Sequence, residues 1–128
     1  MDEVLDRVNR RFGGVELIAR NNVFLVRARG YIGPSLIREE LKIAAAFGES
    51  RSEGWWYVVD TTAVRVPNPL NALLLRQIRS LPHIRGYLVI APGAAVRAGA
   101  KLLSWLVRPN AIVRDEAEAF DRVSRAPV

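Results

Sequence analysis

The chain has 128 residues, half of them apolar and a quarter charged, and it contains no cysteine. This composition is typical of one globular domain with its own core, and the missing cysteines exclude disulfides, thiolate zinc sites and thiol catalysis. The net charge is +6, and every basic residue except Lys42 and Lys101 is an arginine. A basic chain invites nucleic acid or an anionic membrane as a partner. These arginines are scattered, however, and they match no recognised module, so nucleic-acid binding is not favoured.

No apolar run reaches the roughly 18 residues that a membrane-spanning helix needs. The acidic N-terminal residues also lack the apolar region of a signal peptide. We therefore expect a cytoplasmic protein without a transmembrane segment.

Residues 1–14 predict a short N-terminal helix that precedes the main domain, residues 15–125. Asp2 is a suitable N-cap, and Gly13 with Gly14 would end the helix. The apolar residues that would share one helical face are Val4, Leu5, Val8 and Phe12.

Residues 15–19 and 23–30 predict the two strands of a hairpin. Between them lie Asn21 and Asn22, and because asparagine tolerates positive φ we expect a type I′ turn. A helix then begins near Pro34, since proline is favoured in the first turn. Its inward residues are predicted to be Leu36, Ile37, Leu41, Ala44, Ala45 and Phe47, and its outward residues Arg38, Glu39 and Lys42.

The most informative stretch begins at Trp55, after a polar loop over residues 48–54. Residues 55–59 are all aromatic or β-branched and show no polar alternation, which indicates a strand buried on both faces. We assign this central strand to residues 55–62. Further along, the pattern predicts helices over residues 69–81 and 93–107, strands over 86–92 and 111–114, and a final helix capped by Asp115.

The predicted order is β-β-α-β-α-β-α-β-α after the N-terminal helix. Strands that alternate with helices favour right-handed crossovers and a parallel sheet. We therefore predict a single α/β domain with a mixed, mostly parallel sheet of about five strands, to which the first hairpin adds an antiparallel edge.

This element order, together with the phrase Val-Val-Asp-Thr-Thr-Ala-Val at residues 58–64, resembles the STAS domain (sulfate transporter and anti-sigma-factor antagonist). The later part is similar to small bacterial STAS-like proteins, which are also compared with the CRAL-TRIO lipid-binding fold. The similarity covers about residues 15–124. It implies a regulatory domain that binds a protein partner, or else a domain that holds a lipid.

One departure from the family lies in the loop after the central strand. In anti-sigma-factor antagonists this loop carries a serine that the partner kinase phosphorylates, which adds nearly two charges at a helix N-terminus. The matching positions here are Asn68, Pro69, Leu70 and Asn71, and no Ser or Thr occurs between Ala63 and Arg79. Phosphorylation of that loop is therefore not expected.

Asp60, Thr61 and Thr62 form a polar cluster at the predicted carboxyl end of the central strand, and Asn68 and Asn71 follow. Because open α/β sheets bind ligands beyond the carboxyl ends of their strands, these five residues are candidates for the rim of a ligand or partner site. In the alternative interpretation Asp60 accepts backbone N–H groups, as in an Asx turn. General acid–base catalysis would need a second carboxylate beside Asp60, and the sequence offers no obvious one.

Other catalytic groupings are not apparent in the sequence. His83 is the only histidine, so a catalytic triad or a histidine metal site lacks its partners, and a turn position is the simpler interpretation. Gly86, Gly93 and Gly99 match no phosphate-binding loop. We predict no catalytic residue, metal or cofactor.

The predicted helix over residues 93–107 carries a basic stripe beside an apolar surface. The stripe consists of Arg97, Lys101, Ser104 and Arg108, and the apolar side includes Trp105. This makeup is found in helices that lie on anionic membranes, and also in helices that pack on a sheet with one solvated face. Arg76 and Arg79, one turn apart on the preceding predicted helix, are a further candidate surface for an acidic partner.

The leading functional hypothesis is a non-enzymatic, STAS-like binding or regulatory domain that acts through a protein partner or a homodimer. The first alternative is a domain that binds a lipid or a small apolar molecule. The second is peripheral membrane contact through Arg97, Lys101, Trp105 and Arg108. An enzyme that uses Asp60 is the least favoured.

Overall fold

The computed structural model describes residues 2–66, 71–93 and 109–126. The strands are β1 (Asp2–Asn9), β2 (Gly13–Arg20), β3 (Val23–Tyr31), β4 (Trp55–Val66), β5 (Ile84–Ile90) and β6 (Ala111–Val113). The helices are α1 (Pro34–Glu49), α2 (Asn71–Leu75), a 3-10 helix (Arg76–Ser80) and α3 (Glu116–Arg125). None of the described helices is long and apolar enough to cross a membrane.

The sheet has six strands in the order β1-β2-β3-β4-β5-β6. The pairs β1–β2 and β2–β3 are antiparallel, whereas β3–β4, β4–β5 and β5–β6 are parallel. The predicted layout of five mostly parallel strands is therefore wrong, because an additional strand makes the first half of the sheet an antiparallel meander. The described strand order also contains no reversal, so it lacks the topological switch point at which α/β sheets usually form a ligand crevice.

The predicted N-terminal helix is wrong, because its residues form the edge strand β1. Its apolar spacing fits a helix, but an isolated helix of this length is marginal in water, whereas β1 pairs with β2 along almost its whole length. Two cross-strand ion pairs support the register, Arg20 with Asp2 at 2.7 Å and Arg7 with Glu16 at 2.7 Å. A bulge lies between Val4 and Asp6. Bulges and charges of this kind protect sheet edges from pairing with other chains.

The predicted hairpin is present as β2 and β3, and Asn21 and Asn22 form its turn. Asn21 has a φ of 53°, but Asn22 does not have positive φ. The turn is therefore not of type I′, which requires positive φ at both central residues.

β4 is a central strand, as predicted, with β3 and β5 on either side of it. Trp55, Tyr57 and Val58 are fully buried. The strand includes Thr61 and Thr62, as predicted, and continues four residues beyond the predicted end at residue 62.

One face of the sheet packs against α1, α2 and the 3-10 helix, and we call it the α1 face. It holds an aromatic cluster in which Phe24 contacts Phe47, Trp55 and Tyr57 at ring distances of 5.4, 6.1 and 5.2 Å. The helix α1 begins at Pro34, as predicted. Its buried residues are Leu36, Ile37, Glu40, Leu41, Ala44, Phe47 and Gly48, so Ala45 is only half-buried and a glutamate faces the core.

The opposite face packs against α3, and we call it the α3 face. Its buried strand residues are Ile18, Val23, Leu25, Trp56, Val58, Leu88, Ile90 and Val113. Gly86 lies directly against the Trp56 ring, where a Cβ would collide with it. Ala119 of α3 is fully buried, and Phe120 and Val123 pack beside it. Asp115 caps α3 as predicted, since its Oδ1 accepts the Glu118 N–H at 2.8 Å.

The α-helix within residues 69–81 is much shorter than the helix predicted there. α2 ends at Leu75, and the chain continues as the 3-10 helix to Ser80. His83 lies in the following turn with a φ of 61°. The predicted helix over residues 93–107 lies almost entirely outside the described residues.

Candidate functional site

Asp60 lies on the α3 face and is half-buried. Its Oδ1 accepts two hydrogen bonds from Thr62, one from the backbone N–H at 2.9 Å and one from the hydroxyl. This is the local turn chemistry considered as the alternative to a ligand site. Thr61 is also engaged, because its hydroxyl donates to the carbonyl of Ile90 at 2.6 Å.

The structure brings a second carboxyl to Asp60, that of Glu116 in the first turn of α3, and each of the two carboxyls shifts the pKa of the other. On its other side Glu116 accepts a two-pronged bond from Arg27, with both N–O distances at 3.0 Å. Such forked arginine–carboxylate pairs are both stronger and more directional than single bonds. The carboxylate pair that acid–base chemistry requires is therefore present, although the two residues are far apart in the sequence.

Arg27 connects this pair to an ionic network that crosses the sheet. Its Nη1 lies 3.4 Å from Glu16 on β2, and Glu16 is paired in turn with Arg7 on β1. Arg20 forms a separate contact with the middle of α3, since its guanidinium lies 4.2 Å from the centre of the Phe120 ring. The network thus ties α3 to β1, β2, β3 and β4.

The electrostatics of the Asp60–Glu116 pair are asymmetric. The hydrogen bond from Arg27 lowers the pKa of Glu116, although burial opposes it. Burial raises the pKa of Asp60, the Thr62 donors oppose this, and the neighbouring Glu116 raises it again. These opposite shifts favour the protonated form of Asp60 and the charged form of Glu116. Chemically, such a pair can hold and release a proton.

The remaining members of the predicted rim do not join Asp60. Asn71 is buried on the opposite, α1 side, where its Nδ2 donates to the carbonyl of Ile32 at 2.6 Å. Asn68 lies outside the described residues. The predicted polar rim is therefore divided between the two faces of the sheet.

Arg76 and Arg79 are both exposed on the 3-10 helix. Residues three apart in a 3-10 helix lie on the same side. Arg79 lines a groove of about 110 Å³ together with Ile84, Arg85, Gly86 and Tyr87, at the amino end of β5. The other predicted contact residues, Arg97, Lys101, Trp105 and Arg108, lie outside the described residues.

A second carboxyl site lies in the core beneath α1. Glu40 is only 2 % exposed, and the Tyr57 hydroxyl donates a hydrogen bond to its Oε2. Burial raises the pKa of Glu40 to about 7, and the hydrogen bond from Tyr57 opposes this. Burial, together with the proximity of Glu40, also raises the pKa of both Tyr57 and Tyr87.

Two exposed aromatic residues lie side by side where the β1–β2 hairpin meets the end of β3. Phe12 is 70 % exposed and Tyr31 is 44 % exposed. The Tyr31 N–H donates to the carbonyl of Phe12 at 2.9 Å, and the Arg11 guanidinium lies 5.2 Å from the centre of the Phe12 ring. We call this surface, formed by residues 9–13, 29–33 and 63–66, the arginine–aromatic rim.

The sequence did not identify Glu40, Phe12, Glu116 or Arg27 as candidate site residues. Glu40 could have been found, because it falls in phase with Leu36, Ile37 and Leu41 on the apolar face of α1. Phe12 was placed on a helix that does not exist. The pairing of Glu116 with Arg27 and Asp60 had no signal in the sequence, because it is a tertiary contact across 89 and 56 residues.

Within the described part of the chain, no group of three or more His, Asp or Glu side chains is arranged to hold a metal ion. No protein-family model matches the chain, and no curated protein matches it significantly. The resemblance to STAS domains therefore stays a prediction.

Proposed function

We propose that this chain is a non-enzymatic binding domain that acts through protein–protein contact, either with a partner or with a second copy of itself. The observation that carries the proposal is the arginine–aromatic rim, where Phe12 exposes 70 % of its surface beside Tyr31. Protein interfaces are enriched in aromatic residues and arginine, and the rim combines two exposed aromatic residues with four arginines.

The Asp60–Glu116 pair supports a structural role more than a catalytic one. Asp60 accepts from Thr62, Glu116 accepts from Arg27, and the two carboxyls lie close enough to shift each other's pKa. These bonds join α3 to the sheet and use the polar atoms that a substrate would need. The groove at the amino end of β5 is lined by other residues.

A regulatory role of the STAS kind fits this proposal, but without the phosphorylated loop, since no Ser or Thr lies between Ala63 and Arg79. The lipid alternative places a pocket under the predicted helices over residues 69–81 and 93–107, and the membrane alternative uses Arg97, Lys101, Trp105 and Arg108. Because residues 94–108 lie outside the described residues, the described surface adds no support to either.

The test is the loss of association on Phe12→Ser. Light scattering across a concentration series would measure self-association, and affinity capture with quantitative mass spectrometry would measure partners. We expect a dimer, or a captured protein, that is lost with Phe12→Ser. Val4→Ser is the matched control, because Val4 is also exposed and apolar but lies on β1 outside the rim.

A monomer at every concentration, with the same captured proteins for the wild type and Phe12→Ser, would overturn the proposal. Circular dichroism would show that both variants are folded.

A further inference from the structure

We propose that the occupant of the arginine–aromatic rim is an acidic segment of a partner protein, whose carboxylates bind the rim arginines while an apolar side chain packs on Phe12. This inference rests on the proposed function, since it names the chemistry of the partner at the same surface.

The charged residues of the rim are all positive. Its residues include four arginines and no aspartate or glutamate. The four are Arg10, Arg11, Arg29 and Arg65. Their contacts within the rim are neutral: Arg10 donates to the carbonyl of Asn9 at 3.3 Å, Arg29 donates to the Asn9 side chain, and Arg11 lies against Phe12. No described carboxylate forms an ion pair with any of the four.

The rest of the same sheet behaves differently. On the α3 face Arg7, Arg20 and Arg27 each have a carboxylate partner within the chain. These three arginines are therefore balanced by carboxylates of the chain, whereas the four rim arginines are not. A surface with charge of one sign attracts a partner of the opposite sign and accelerates their association.

The backbone holds the rim in place without the partner. The hairpin tip is closed by the bond from the Arg10 N–H to the carbonyl of Gly13 at 2.8 Å, and it is joined to β3 through Tyr31 and Phe12. A Cβ on Gly13 would collide with the Tyr31 carbonyl, so only glycine permits this close approach. Since the rim is pre-organised, its binding costs less conformational entropy.

Arginine and aromatic side chains together favour a protein segment over the other anionic partners. The planar guanidinium binds carboxylates in a two-pronged manner, and interfaces are enriched in arginine but depleted in lysine; neither of the two lysines lies in the rim. Single-stranded nucleic acid stacks its bases on aromatic rings, and Arg11 leaves only one face of the Phe12 ring open to such stacking. Binding to a membrane surface typically uses an amphipathic helix, and the rim is built from a turn and strand ends.

The experiment measures binding of a fluorescent synthetic peptide that carries Asp and Glu around one central Phe. The comparison ligands are the same peptide with Asn and Gln in place of the acids, single-stranded DNA, and vesicles that contain phosphatidylserine. We expect the acidic peptide to bind in a salt-dependent manner, and the amide peptide to bind at least about tenfold more weakly.

The variant R10Q/R11Q is expected to weaken the binding of the acidic peptide about tenfold or more, and Phe12→Ser is expected to weaken it to a similar extent. The matched control R38Q/R122Q removes the same charge from exposed positions on α1 and α3, and it should change binding less than about twofold.

No binding of the acidic peptide at about 1 mM, or equal binding of the amide peptide, would overturn the inference. Tighter binding of DNA or vesicles that R10Q/R11Q removes would overturn it too, and would assign the rim to that partner. If the acidic peptide does not bind while Phe12→Ser still abolishes a dimer or the capture of a partner, the inference is wrong and the proposed function stands. If Phe12→Ser changes no association at all, both are wrong.

Discussion

Two carboxyl sites lie on opposite faces of the same sheet, and they differ in how the protein accommodates the charge. On the α1 face Glu40 is fully buried, and its described hydrogen-bond partner is the neutral Tyr57. On the α3 face Glu116 remains 26 % exposed and is bound in a fork by the cationic Arg27. One site thus favours the protonated acid and the other favours the carboxylate.

The difference shows that burial and partner charge, and not residue type, decide the role of each glutamate. Burial raises the pKa of Glu40 to about 7, whereas the Arg27 hydrogen bond lowers that of Glu116. Because of these opposite shifts, the two sites should respond to pH with opposite signs. Glu40 lowers the free energy of unfolding as the pH rises from 4.5 to about 7. Glu116 raises the free energy of unfolding above its ordinary pKa of 4.5, and this contribution is lost as the pH falls.

The largest effect is expected from Glu40→Gln. A carboxyl whose pKa rises from 4.5 to about 7 on folding loses on the order of 3 kcal/mol of stability as the pH rises between those two values. Glutamine has no charge to lose and can still accept the Tyr57 hydroxyl. We therefore expect the variant to match the wild type near pH 4 and to exceed it in free energy of unfolding at pH 8, measured by urea denaturation across this range.

The control is Glu39→Gln, at the neighbouring exposed position of α1, which should retain the wild-type pH profile. Equal pH profiles for Glu40→Gln and the wild type would show that the two faces do not differ in the manner described.

The sequence patterns that depend on near neighbours predicted their structures well. The apolar run at residues 55–59 indicated a central strand, and Asp115 indicated the start of α3, because burial on both faces and helix capping leave local signatures. Residues 1–14 were predicted wrongly for the complementary reason. Their helical spacing is a weak local preference, and β1 is fixed by pairing with β2, including the ion pairs of Asp2 and Arg7. Tertiary context overrides propensity in such cases.

The candidate site was predicted only in part for the same reason. Asp60 and Thr62 are hydrogen-bonded to each other, whereas Thr61 bonds to Ile90. Asn71 lies on the opposite face, since the strand continues to Val66 before the chain reaches α2. For Glu116 the sequence indicates only that it follows Asp115, the predicted cap of the final helix. Its position beside Asp60 depends on α3 packing across the sheet through Ala119 and Phe120.

An intermediate effect is expected from Glu116→Gln. The substitution removes the charge from the fork with Arg27, and we expect a loss of about 1 kcal/mol at pH 7, since Arg27 is 41 % exposed and solvent screens the pair. The folded pKa of Glu116 is lowered, so this contribution is present above its ordinary value of 4.5 and is lost as the pH falls. Urea denaturation at pH 7 and pH 3 should show the difference only at pH 7, and added salt should reduce it.

Glu118→Gln provides the matched control in the same turn of α3. Its ion pair with Arg114 is long at 3.9 Å and exposed, while its interaction with the helix dipole is similar. A loss for Glu118→Gln as large as that for Glu116→Gln would attribute the effect to the helix end and not to Arg27.

The smallest effect is expected from Asp60→Asn, at one of the five residues that the sequence suggests for the rim of a ligand or partner site. Its pKa is raised, so the folded protein favours the protonated form, which asparagine imitates: the amide oxygen accepts from Thr62 and the amide nitrogen donates to Glu116. A raised pKa costs stability as the pH rises above the ordinary value of 3.8. Asp60→Asn should therefore lie within about 0.5 kcal/mol of the wild type at pH 4 and become slightly more stable at pH 8, opposite in sign to Glu116→Gln. Thermal unfolding at pH 4 and pH 8 measures the difference in stability, and Asp121→Asn, at an exposed position, is the control. A strongly destabilised Asp60→Asn would mean that Asp60 is the charged member of the pair.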